Sequence, residues 1–139
     1  MKSKVLFVCI HNSARSQMAE ELLRSLAGDQ FDVESAGIEP GQLNPAVIEV
    51  LKEEGINITG KKTCAVSEKL KKKIIYDYVI TVCDETSAER CPVIPGTRER
   101  LHWSFKDPSS FKGTDAEKMD FTRRIKEQIK HKIKSWLNS

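Results

Sequence analysis

Cys9 ends an apolar run, five residues separate it from Arg15, and Ser16 follows directly: VLFVCIHNSARSQMAE over residues 5–20. A cysteine thiolate is an intrinsically strong nucleophile, and a planar guanidinium grips two oxygens of a tetrahedral anion at once. Such spacing recurs by chance, so its context decides. Residues 4–9 read as a strand, and from Ser16 the apolar residues recur at helical spacing, so the intervening loop joins a strand end to a helix N-terminus. There the backbone amides of Ile10, His11, Asn12, Ser13, Ala14 and Arg15 converge on one point, and the helix dipole adds positive potential. The same field favours a thiolate at Cys9, and the Ser16 hydroxyl is placed to donate a hydrogen bond to it. With no glycine in the loop, any left-handed position falls to His11 or Asn12. The plain alternative is a core cysteine at a strand end.

Two further cysteines bracket CDETSAERCP, with seven residues between Cys83 and Cys91. Zinc is a poor account, because no C-x2–4-C pair exists and His102 lies too far along the chain. Packing cysteines remain an alternative, but the segment between them is polar and charged, which suits working thiols. Cys64 reads as a small apolar filler. In FKDPSSF, Asp107 is either the start of an Asp-Pro turn or a general acid held by a turn that Pro108 stiffens.

These residues must be positioned by the elements around them. After the strand over 4–9, Met18, Ala19, Leu22, Leu23, Leu26 and Ala27 form one helical stripe that Gly28 closes. Residues 31–37 alternate as a second strand. Residues 43–55 read as a helix with Asn44 at the N-cap, Pro45 at the first helical position and Gly55 past the end. A short helix is expected over 67–73, strands over 76–83 and 100–105, and a long amphipathic helix from Asp115. The alternation specifies an α/β fold: a doubly wound, mainly four-stranded parallel sheet flanked by helices, in a single domain over 1–139. In open sheets of this kind ligands bind beyond the carboxyl ends of the strands. Cys9, Cys83 and the segment after Phe105 all fall there.

The net charge of +3 is too mild for a nucleic-acid partner, and no basic patch is interleaved with aromatics. The run KLKKKIIYDY is expected to be a solvated helix end, with Glu53, Glu54 and Glu68 near in sequence. The apolar run over 5–10 is far shorter than a signal-peptide core or a membrane helix. A cytoplasmic setting is therefore expected, with no membrane partner, and its reducing character argues against structural disulfides. The protein is expected to be a monomer.

The stretch VCIHNSARSQMAE resembles the active-site loop of the low-molecular-weight protein tyrosine phosphatase superfamily, C-x5-R-S at the start of the first helix. The closer likeness is to its thioredoxin-coupled arsenate reductase branch, matched in order by SAGIEPG, LNP, VITVC and HWSFKDP across essentially the whole chain. The resemblance implies arsenate as substrate, thioredoxin as reductant and no cofactor. It implies Cys9 as nucleophile, Arg15 as anion clamp, Asp107 as general acid, and Cys83 then Cys91 as resolving thiols. The family interval between those two cysteines is six residues, against seven here. Some arsenate reductases bind potassium through residues matching Asn12, Glu20 and Ser35 plus a later carboxylate; Ala65 stands at that last position, so no required metal is expected. Ser109, Ser110 and Phe111 replace the paired tyrosines common in the phosphatase branch. Two other readings stay open: a phosphotyrosine or small-phosphoester phosphatase using Cys9, Arg15 and Asp107, and a non-catalytic anion or redox sensor.

Overall fold

The computed structural model describes residues 2–83 and 94–139. Strand β1 (Ser3–Cys9) is buried from Val5 onward, as a central strand covered on both faces must be. Among the described residues it lies in a four-stranded parallel sheet of order β2-β1-β3-β4, with β2 at Phe31–Gly37, β3 at Tyr78–Thr81 and β4 at Glu99–His102. The chain leaves β1 towards β2 and then returns to the other side for β3. The reversal falls between β1 and β3, and their carboxyl ends carry Cys9 and Cys83.

Helices α1 (Arg15–Ala27), α2 (Pro45–Lys52) and α4 (Asp115–Leu137) pack on one face of the sheet. On that face Val5, Phe7 and Cys9 meet Met18, Leu22, Val50 and Ile129 in one cluster. Helix α3 (Val66–Lys71) covers the other face, where Leu6 and Val8 meet Val66 and Tyr76. Two of these helices open on a side-chain cap. The Asn44 side chain caps α2 by accepting from the Ala46 amide, with Pro45 at the first helical position. Helix α4 opens on a capping box between Thr114 and Glu117, a T-x-x-E signal present in the sequence. At its far end Trp136 packs against Phe31, Tyr78 and Trp103, which ties the helix to β2, to β3 and to the residue that follows β4.

The later strands are shorter than the sequence pattern suggests. The Val82 amide still donates to the Val8 carbonyl at 2.9 Å, but the chain bends at Cys83. Strict alternation would put Val82 and Cys83 on opposite faces; instead both lie in the cluster that holds Cys9. Strand β4 leaves the ladder after Trp103 donates to Thr81. The basic run over 69–73 is paired differently from its sequence neighbours. Lys69 meets Glu34 and Lys71 meets Glu68, whereas Glu53 and Glu54 pair with Arg123, Lys126 and Lys130 of α4.

Candidate active site

The loop between β1 and α1 wraps around the Cys9 sulfur. Asn12 takes the left-handed conformation at φ 54°, one of the two positions expected to do so, and its backbone amide points to Sγ at 3.2 Å. Ala14 stands at the N-cap of α1 with no side-chain cap, so the first-turn amides remain turned to the loop's concave side. Cys9, Asn12, Ala14, Arg15 and Ser16 are all buried, whereas His11 is exposed and its ring is tied to the Glu39 carbonyl.

The hydrogen-bond directions around the sulfur follow from one backbone donor. The Cys64 amide can only donate, and it meets Asn12 Oδ1 at 2.9 Å; Gln17 Nε2 meets the same oxygen. Asn12 Nδ2 therefore faces the hydroxyls of Ser16 and Ser35, at 2.7 and 3.0 Å, and spends both hydrogens on them. Ser16 Oγ accepts from Asn12, which leaves its own hydrogen for Cys9 Sγ at 2.9 Å. Ser35 in the same way passes its hydrogen to Glu20. Asn12 is thus the hub that orients a donor onto the sulfur. A hydrogen bond to a charged group is worth about 1.5–3 kcal/mol, so Ser16→Ala should slow thiolate-dependent turnover about ten- to a hundredfold. Aryl phosphate hydrolysis measures this, and an unchanged rate would remove Ser16 from the site.

Glu20 has both oxygens committed, Oε1 to Ser35 and Lys61 and Oε2 to Arg24. The Lys61 ammonium, 2.8 Å from Oε1, already supplies a cation beside Asn12, Ser35 and Glu20. These residues do not fit a potassium ion. Among the described residues no three His, Cys, Asp or Glu side chains gather as a metal site would need.

Gly37 ends β2 against the same loop, and the sequence shows it only as a glycine closing a strand. A Cβ there would lie 2.8 Å from Asn12 N, His11 C and Ile10 O, all backbone atoms. The neighbouring bonds from Ile38 N to Cys9 O and from Glu39 N to Ile10 O leave the loop little room to retreat. Gly37→Ala should therefore destabilise the protein by about 3 kcal/mol, the upper end of ordinary overpacking. Urea unfolding checks it; a loss below about 1 kcal/mol would mean that the loop yields easily.

Arg15 is 4% exposed. Nη1 donates to the Phe105 carbonyl at 3.0 Å, and Nη2 lies 3.7 Å from Asp107 Oδ2. The guanidinium thus spans from the oxyanion loop to the segment after β4. Asp107 caps a 3-10 turn (Pro108–Ser110), accepting from the Ser109 amide through Oδ1 and from the Ser110 hydroxyl through Oδ2. Both the turn-initiating and the acidic reading of Asp107 are therefore compatible with one geometry. Cys83 is buried at the neighbouring strand end. Cys91 lies outside the described residues. Cys64, which the sequence marks as filler, contributes through its backbone: its amide holds Asn12 and its carbonyl accepts from Gly37.

Residues 4–139 match the model of the low molecular weight phosphotyrosine protein phosphatase family. An arsenate reductase of Halalkalibacterium halodurans is 40% identical over 135 residues, covering 97% of this chain and 95% of its own. The thioredoxin-dependent arsenate reductase of Corynebacterium glutamicum superposes with a TM-score of 0.73 at 30% identity, covering 99% of this chain and 61% of that one. A structure of an arsenate reductase in the phosphate binding state superposes with a TM-score of 0.75 at 27% identity, covering 99% and 98%. The chain belongs to the low molecular weight phosphotyrosine protein phosphatase family, in its arsenate reductase branch.

Proposed function

We propose that the protein reduces arsenate to arsenite by a three-cysteine relay regenerated by thioredoxin. The observation that carries this reading is the pairing of two buried cysteines at one rim. Cys9 sits inside an oxyanion-binding loop with Ser16 donating to its sulfur, and Cys83 lies two residues past the end of the adjacent strand in the same cluster. A phosphatase needs only the first.

Arsenate enters the loop against the amides of residues 10–15 and the Arg15 guanidinium, and the Cys9 thiolate attacks arsenic. Asp107 gives its proton to the departing oxygen, which leaves as water. Cys83 attacks the sulfur of Cys9. The S–S bond forms, the S–As electron pair stays on arsenic, and arsenite departs with the metalloid reduced by two electrons. Cys91 then attacks Cys83, releases Cys9 as a thiolate and leaves a Cys83–Cys91 disulfide for a dithiol reductant. Cys83 begins buried, so its sulfur has to become accessible for this step. We place the reaction in the cytoplasm, where thioredoxin keeps such thiols reduced, in a single-domain monomer. Among the described residues no helix is long and apolar enough to cross a membrane.

The test is arsenate-dependent NADPH oxidation with thioredoxin and thioredoxin reductase, followed by mass mapping of the disulfides. Arsenate turnover with linked Cys9–Cys83 and Cys83–Cys91 peptides is expected. Efficient phosphoester hydrolysis with no arsenate turnover would replace the reading with that of a phosphatase.

A further inference from the structure

The groove beside the candidate active site is crossed by one side chain that its role as a helix cap does not exhaust. Besides its carbonyl, which accepts from the Val47 amide, Asn44 makes three directed bonds. Its backbone amide donates to the Ser13 carbonyl in the oxyanion loop at 3.0 Å. Its Oδ1 accepts from the Ala46 amide at 2.9 Å, which can only donate, so Nδ2 faces the other way. There it donates to Ser109 Oγ at 2.9 Å, 65 residues along the chain. Ser109 in turn donates its backbone amide to Asp107 Oδ1 at 2.9 Å. The chain of bonds runs from the loop that holds the oxyanion, through Asn44 and Ser109, to the carboxylate of Asp107.

We propose that Asn44 is a positioning residue for Asp107, a strut that fixes the acid's loop against the oxyanion loop. This rests on the reading of Asp107 as the general acid at this site. Among the described residues other ties hold the same loop, namely the Arg15 contacts with the Phe105 carbonyl and with Asp107, the burial of Pro108 and the stacking of Phe111 on Phe121 at 4.6 Å, but none of them engages the Ser109 side chain. Ser109 is exposed, and its link to Asn44 ties that edge of the turn directly to the oxyanion loop. Without it Asp107 would still cap the turn but would sample a wider range of distances from the leaving oxygen. A proton transfer that needs contact at about 2.6–3.2 Å is sensitive to that spread. The nucleophile and the anion cradle are untouched, so substrate binding and attack should persist.

The leaving group separates this role from a merely structural one. In the phosphoester reaction Cys9 forms the S–P bond as the P–O bond breaks, and the carboxyl proton of Asp107 goes to the aryloxide oxygen. Nitrophenolate leaves without much help, whereas phenolate needs the proton. Hydrolysis of p-nitrophenyl phosphate and phenyl phosphate is therefore compared for the wild type, Asn44→Ser, Ser109→Ala, the double variant, Ser109→Thr and Asp107→Asn. Serine keeps an acceptor for the Ala46 amide, so α2 retains its cap. Each single strut variant should lose about three- to tenfold in kcat on phenyl phosphate, the scale of one hydrogen bond, with little change on the nitrophenyl ester and an unchanged KM. The double variant should lose no more than either single one, and Ser109→Thr should recover. In the thioredoxin-coupled arsenate assay the same variants should lose kcat at constant KM. Equal losses on both esters, losses that multiply in the double variant, or no loss while Asp107→Asn stays leaving-group selective would overturn the strut and leave the acid reading intact. An Asp107→Asn variant without leaving-group selectivity would instead remove the acid reading, and the strut with it.

Discussion

Replacing Cys83 should abolish arsenate reduction and leave phosphoester hydrolysis in place. The expected loss in thioredoxin-coupled arsenate turnover is at least about a thousandfold, as for any group that takes a covalent bond in the reaction. Hydrolysis of p-nitrophenyl phosphate should stay within about twofold, because Cys83 takes no covalent bond in the proposed ester reaction. The choice of replacement matters. Cys83 is 1% exposed, and serine there would bury a hydroxyl at a cost of about 1–3 kcal/mol. Cys83→Ala avoids that cost, so the two variants together separate lost chemistry from lost stability. With either one the reaction should stop after Cys9 has engaged arsenate, since no thiol arrives to take the sulfur. Alkylation mapping after arsenate exposure should then find no Cys9–Cys83 disulfide and no arsenite beyond background. Wild-type arsenate turnover by Cys83→Ala would end the relay proposal.

Much of this arrangement is legible in the residues themselves. A strand running into a cysteine and then a helix N-terminus is a local pattern, and the parallel neighbours of β1 follow from the order of strands and helices. The left-handed position also narrows by residue type to His11 or Asn12, and Asn12 takes it. What the sequence leaves out is the set of contacts made between distant segments. Nothing in a strand-closing glycine says that three backbone atoms of another loop stand 2.8 Å from its missing Cβ. Ser35 and Gln17 look like ordinary polar positions until Asn12 is found between them. Lys61 carries no local signal of its tie to Glu20, 41 residues earlier. The strand lengths err for a related reason. Apolar β-rich runs continue to Cys83 and Phe105, but a strand extends only as far as its ladder pairs it, here over Tyr78–Thr81 and Glu99–His102. Asn44 is the instructive case. Its type and place announce a helix cap, and that satisfied role conceals a second bond made by the other end of the same amide.

Arg15→Lys should cost about 10²- to 10³-fold in kcat for both arsenate and phosphoesters, the range seen when one donor to a developing oxyanion is removed. The charge is kept, so the loss would come from geometry. The guanidinium uses one edge nitrogen on the Phe105 carbonyl while the other approaches Asp107, and an arriving anion meets a rigid fork held on both sides. An ammonium is a compact point charge on a flexible stem, and it cannot hold the acid's loop and two anion oxygens in one plane. Its heavier hydration adds a desolvation cost at a site where Arg15 is 4% exposed. Removing one partner from a buried charged contact also strains what remains, so Asp107 should become less ordered and leaving-group selectivity should fall together with rate. That joint change distinguishes the fork from a simple electrostatic role. If Arg15 served only as positive charge near the anion, lysine would preserve most of the rate and the full discrimination between phenyl and nitrophenyl esters. Thermal melts of the variant with and without phosphate complete the test: the wild type should be stabilised by phosphate, and Arg15→Lys should lose most of that shift while keeping its fold.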